Sequence, residues 1–166
     1  MRRITLAAAA LAIACGSIAV GGGAGPAIAQ PTATGPTALP FTQVLRRCDF
    51  SKFQYTGAAW YGRPSGEMRI DGGEVVVDLR FATGVPNARY DVRLIQTPRP
   101  QSLNCNPGDP GVAGGVLFTD NAGAAATTVR APVMSGATGA WVSVTRPGAY
   151  SQIPEEFYTT DLIVRF

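Results

Sequence analysis

The side chain that most often moves protons near neutral pH is absent: the 166 residues contain no histidine. That excludes Ser-His-Asp and Cys-His nucleophilic catalysis and every histidine ligand for zinc or copper. Lys52 is the one lysine and no Ser-X-X-Lys precedes it, so Ser65-Gly66 and Ser135-Gly136 read as turns rather than nucleophile surroundings. Carboxylates are then the remaining general acids and bases. Glu155 and Glu156 are adjacent, so on a strand they point to opposite faces, cannot flank one bond, and read as solvated residues at a strand start. Asp109, Asp120 and Asp161 lack the contiguous spacing of a calcium loop, and Asp109 within Pro107-Gly108-Asp109-Pro110-Gly111 reads as a turn residue. The glycine-rich runs at 21–25 and 111–115 carry neither phosphate-loop nor dinucleotide flanks. The expectation is no catalytic residue, no metal site and no cofactor.

Aromatic and thiol chemistry remains. In the segment Thr138 to Thr145, Ala140, Val142 and Val144 share one face, while Trp141 shares the other with Ser143 and Thr145. A ring on that polar-phase face is a candidate stacking surface for a sugar or a protein, with Trp60 and Tyr61 as helpers beside a Gly/Pro turn. On this reading Trp141→Ala weakens binding by at least about 1 kcal/mol at little cost in stability. The competing reading makes Trp60 and Trp141 plugs at the core edge. Of the three cysteines, Cys48 and Cys105 are expected to form one disulfide once Cys15 leaves with the leader. Their spacing resembles neither a zinc site nor a thioredoxin-like pair.

The leader reading rests on Arg2 and Arg3 before the apolar run Ile4 to Val20, and on Ala27-Ile28-Ala29, small residues at the spacing a signal peptidase accepts before Gln30. Lipidation at Cys15 within Ala12-Ile13-Ala14-Cys15-Gly16-Ser17, or a retained anchor, is the alternative. Without Arg2 and Arg3 the basic count falls from 14 to 14 − 2 = 12 against 11 acidic residues, a dispersed +1. Such a surface suits neither nucleic acid nor an anionic membrane, and no transmembrane span is expected after residue 29. Residues 30–40 hold Pro, Thr, Ala and Gly with one Leu and no charge, and read as a flexible tether.

Residues 41–166 must position these groups, and they read as an all-β domain: an antiparallel immunoglobulin-like β-sandwich of about seven strands. The expected strands are Phe53 to Trp60, Glu74 to Phe81, Tyr90 to Gln96, Gly115 to Thr119, Ala124 to Ala131, Thr138 to Thr145 and Phe157 to Arg165. Met68 to Asp71 are assigned to the second of these, ahead of a bulge at Gly72-Gly73. Pairing the second with the third sets Arg80 opposite Asp91, Asp78 opposite Arg93 and Leu79 opposite Val92, a register that satisfies both faces. A further hairpin turn is expected at Asp120-Asn121-Ala122-Gly123.

The leader, the Arg/Ala/Gly bias, the cysteine pair and stretches such as Arg89-Tyr90-Asp91-Val92-Arg93-Leu94 and Phe118-Thr119-Asp120 resemble the small exported β-sandwich proteins of actinobacteria, mycobacteria included. The resemblance implies export and fold class and transfers no site residue. The expected role is a secreted, non-catalytic interaction module at or beyond the cell envelope, partnered by a protein or glycan. A small carbohydrate-active hydrolase using Asp and Glu, and a structural envelope protein, are the alternatives.

Overall fold

The structure, a computed structural model, describes residues 35–55 and 61–166. The leader, Cys15, the first part of the tether and Trp60 lie outside the described residues. Among the described residues ten strands follow in order: β1 (Thr37–Ala38), β2 (Phe41–Thr42), β3 (Arg63–Asp71), β4 (Glu74–Ala82), β5 (Arg89–Thr97), β6 (Val112–Phe118), β7 (Ala125–Pro132), β8 (Gly139–Arg146), β9 (Glu156–Thr160) and β10 (Val164–Arg165). They form two antiparallel sheets, β1-β3-β4-β7 and β2-β9-β8-β5-β6 with β10 on β8. The protein is all-β and sandwich-like. Of the strands, the two-residue β1 and β2 were not foreseen, and the strand expected over Phe157 to Arg165 is divided into β9 and the two-residue β10.

Period-two alternation explains the layering. In β4, Val75, Val77, Leu79 and Phe81 are buried, and in β8 Ala140, Val142 and Val144 are. These join Met68, Tyr90, Val92, Leu94, Leu117, Val129 and Tyr158 in one apolar core between the sheets. Among the described residues no helix is long and apolar enough to cross a membrane.

The expected register between the second and third strands is corrected. β4 pairs with β3 and β7, so Leu79 stands opposite Gly66 and Thr127, whereas Val92 in β5 stands opposite Gly115 and Val144. Loop 83–88 carries the chain from one sheet to the other, and Phe81 meets Tyr90 across the interior with ring centroids 4.6 Å apart. Asp78 pairs with Arg69 on its own sheet, and Asp91 with Arg89. The turn at Asp120–Gly123 forms, with Gly123 at φ +75°, but it too links sheets, because β6 and β7 do not pair.

The strand expected over Phe53 to Trp60 is absent from its described part, 53–55. Its place in the sheet is taken by β3, concealed in the sequence by Pro64 and Gly66. Gly66 is where backbones crowd: a Cβ there would lie 2.6 Å from the Asp78 carbonyl oxygen. Gly72-Gly73, both at positive φ, form a two-residue turn joining β3 to β4 with Asp71 opposite Glu74, in place of the expected bulge. The tether boundary also shifts, since Thr37 and Ala38 pair with Met68 and Glu67, and Leu39 is buried in the core.

Cys48 and Cys105 form a disulfide that closes a sequence separation of 57. Arg99 organises the loop carrying Cys105 by donating to the carbonyl oxygens of Asn104 and Pro110. Labelling of the unfolded, oxidised protein should find no free thiol at these positions. Replacing both cysteines by Ala should cost about 2 to 4 kcal/mol in chemical denaturation. Two free thiols would refute the bridge.

Candidate functional site

The outer face of the larger sheet is partly covered by a tight turn. Arg46 and Lys52 form a β-bridge, Phe50 N–H donates to Arg47 O at 2.9 Å, and the Asp49 carboxylate accepts from Ser51 N–H and Oγ–H at 3.0 and 2.6 Å. The Ser51 bonds hold the Asp49 carboxyl below its ordinary pKa. This turn keeps Phe50 at φ +72°, a conformation that costs a non-glycine residue on the order of 1 kcal/mol, and the disulfide at Cys48 fastens the turn to the loop at Cys105. Phe50 meets Trp141 edge-on at 5.5 Å, and the Arg46 guanidinium lies 4.0 Å from the Phe50 ring centroid. Together they make a three-layer stack over β8.

Trp141 therefore stands on the outward phase, as the alternation requires, but is only 1% exposed, clustered with Ile95, Cys105 and Val112. Of the two readings, Trp141 agrees with the plug at a core edge and the open stacking ring is corrected: Phe50, distant in sequence, covers the face. Tyr61 is 77% exposed at the start of β3, its carbonyl accepting from Thr83, and it does not line the groove beside Trp141.

That groove, about 210 Å³, runs between the Cys48 turn and the loop 147–154. Its floor is built by β5 and β8, whose ladder sets Asp91 beside Thr145, Arg93 beside Ser143 and Ile95 beside Trp141. Leu45 and Arg46 form one wall, and Pro147, Ser151 and Gln152 contribute to the other. Four buried side-chain polar atoms lack a hydrogen-bond partner among the described residues, and three belong to groove residues: Arg46 Nε, Arg93 Nε and Trp141 Nε1. An unmet buried donor costs about 1 to 3 kcal/mol, and such groups are few in a folded protein. These three atoms have almost no accessible surface of their own, so they lie sealed beneath the groove and not open to it. Ordinary sequence signals locate Trp141 and Arg93 on the outward phase but miss Arg46, which is brought in by the turn.

The charges are unevenly committed. Asp91 is engaged by Arg89 at 2.8 and 3.0 Å, and Arg46, its side chain 5% exposed, donates to Phe50 O and Asp161. The Arg93 side chain makes no hydrogen bond or ion pair among the described residues, although it is half-buried.

A larger depression, about 690 Å³, lies on the outer face of β3, β4 and β7. There Glu67 stands directly opposite Asp78, close enough in principle for a carboxylate pair. Hydrogen bonds from Thr128 and Arg69 hold the Asp78 carboxyl below its ordinary pKa, which suits an ion-pair partner and not a proton donor. Asp109, Asp120 and Asp161 are occupied separately, by Asn106 N–H, by Ala122 and Ala124 N–H, and by Arg46.

The expectation for Glu156 is also corrected. Glu155 is exposed and pairs with Arg146, but Glu156 is 2% exposed and accepts from Tyr90 OH and Tyr158 OH, each at 2.7 Å, and from Arg146 Nε at 3.2 Å. Strand alternation turns it inward together with Tyr158. Burial, then the Glu156 bond, pushes the Tyr90 hydroxyl up to about 12 and raises that of Tyr158 further. Its hydrogen-bonding capacity is committed within the protein.

In comparisons with known proteins, no family model, no curated protein and no solved structure matches this chain.

Proposed function

We propose that this chain is a secreted, non-catalytic interaction module, an immunoglobulin-like β-sandwich working at or beyond the cell envelope. The observation that carries the binding role is the groove over β5 and β8, where the half-buried Arg93 side chain has no ion pair among the described residues. The disulfide and the leader-like start support export into an oxidising compartment. The lipid-anchored form through Cys15 is the alternative mode of display.

The hydrolase reading would rest on Glu67 and Asp78, and the lowered pKa of Asp78 counts against a general acid at that position. A glycan array and a pull-down from envelope fractions, with product analysis of every retained glycan, separate the readings. The expected result is retention of an intact ligand. Turnover of a retained glycan would establish the hydrolase, and retention of nothing would remove the binding role.

A further inference from the structure

Residues 45–53 are bonded to one another far more than to the sheet beneath them. Arg47 N–H donates to Ser51 O and Phe53 N–H to Leu45 O, each at 2.8 Å, and the Arg46 and Arg47 guanidinium groups donate to Phe50 O and Lys52 O at 3.2 and 3.0 Å. Among the described residues, one hydrogen bond leaves the turn, from Arg46 to the largely exposed Asp161 at 3.3 Å. Firmer contacts lie at its two ends: Thr159 Oγ–H donates to Val44 O at 2.7 Å, and Tyr55 meets Phe157 edge-on at 5.7 Å. The segment is thus a hairpin flap between two anchored ends, closed over Trp141 by the Phe50 ring and the Cys48–Cys105 bond. The core between the sheets contains no residue of the flap.

The closed flap carries costs. The Trp141 indole N–H and Arg46 Nε–H are sealed from solvent without an acceptor, and Phe50 sits in the left-handed region at φ +72°. Opening gives both donors water and frees Phe50, and it forfeits the ring contact, the Arg46–Asp161 pair and the burial of Phe50. Terms of the same order oppose each other, so the covalent bond decides where the flap lies. We infer that the Cys48–Cys105 disulfide is a redox latch: while it is formed the flap covers Trp141, and its reduction by a dithiol lets the flap swing off β8 and exposes the indole on the outer face of a sandwich that stays folded. Cys48 is half-buried and Cys105 buried, so attack falls on Cys48. A dithiol sulfur bonds to Cys48 Sγ as the S–S bond breaks, and Cys105 leaves as a thiolate that takes a proton from water. The second thiolate of the dithiol then displaces Cys48, so the protein gains two electrons and two thiols while the dithiol leaves as a cyclic disulfide. The latch governs exposure of the face whatever the groove binds.

The test is acrylamide quenching of fluorescence in the Trp60→Phe chain, where Trp141 is the single tryptophan, before and after reduction with dithiothreitol, with thiols counted and far-UV circular dichroism recorded. Reduction should release two thiols, raise the quenching constant at least threefold with a red shift of the emission, and leave the β-type spectrum in place. Reoxidation should reverse all of these. The double variant Cys48→Ala with Cys105→Ala, in the same background, should match the reduced chain without any reductant and should not respond to dithiothreitol. Quenching that stays low with both thiols free, or in the double variant, would overturn the latch, because the flap then stays shut without it. Loss of the β spectrum on reduction and in the double variant would also overturn it, because the bond would then hold the whole sandwich and not the flap. A bond that survives excess dithiothreitol in the folded protein would remove the redox control.

Discussion

Truncating Trp141 to Ala is expected to destabilise the fold by about 3 to 5 kcal/mol, in the range for removing a buried aromatic side chain. The ring fills the space between β5, β8 and the Cys48 turn, and its removal leaves Phe50, Ile95 and Cys105 around a void. The turn cannot easily collapse into that void because the disulfide and the Arg46–Lys52 bridge hold it in place. Equilibrium urea denaturation, with the slope checked for two-state behaviour, measures the effect. Tyr61→Ala provides the contrast: its side chain is exposed, and the cost should stay within about 0.5 kcal/mol. A loss below about 1 kcal/mol for Trp141→Ala would mean that the ring is not packed as described. In that case the open stacking surface read from strand phase would return.

Glu156→Ala is expected to cost a similar 3 to 5 kcal/mol for a different reason. It leaves two buried tyrosine hydroxyls and the Arg146 guanidinium facing an emptied site, and breaking a buried charged network from one side leaves its partners unpaired. Glu156→Gln keeps the shape and one acceptor oxygen, so it should cost less than the Ala variant. Equal costs would show that packing, not hydrogen bonding, makes Glu156 matter. The same network predicts an alkaline limit. Tyr90 has a folded pKa of about 12 against an ordinary 10, so above pH 10 the unfolded chain releases a proton that the folded chain retains. Stability contributed by this group is full below pH 10 and is lost as pH rises through about 12, with Tyr158 adding in the same direction. Denaturation midpoints measured from pH 8 to 11.5 should fall above pH 10, and the Tyr90→Phe variant should fall less steeply.

How much of the site the sequence carries depends on the range of each interaction. Alternation is local, and it places β4, β5, β7 and β8 close to their observed limits. It also puts Trp141 on the outward phase and Ala140, Val142 and Val144 inward. The partner of each strand is another matter. Phe81 and Tyr90 are both inward residues whether their strands lie side by side or face to face, so apolar matching cannot tell a ladder from a sandwich. The charges of Asp78 and Asp91 find equally good partners in Arg69 and Arg89. The hidden strand β3 has a similar cause, since Pro64 and Gly66 read locally as breakers. Gly66 is there because the neighbouring backbone comes too close for a Cβ.

By itself, then, the sequence determined the β class, the inward and outward phase of most long strands, the pairing of Cys48 with Cys105, and the loss of histidine chemistry. Each follows from composition, from period two, or from counting thiols. Only the tertiary structure decided that Trp141 is covered, that Glu156 is buried between two tyrosines, and that Arg46 joins Arg93 at one groove. Those outcomes depend on segments far apart in the chain meeting at one face: the turn at residues 46–52, the loop at 105 and the strand at 141. No local pattern encodes such a meeting, because burial of a side chain is a property of what packs over it and not of its own position along a strand.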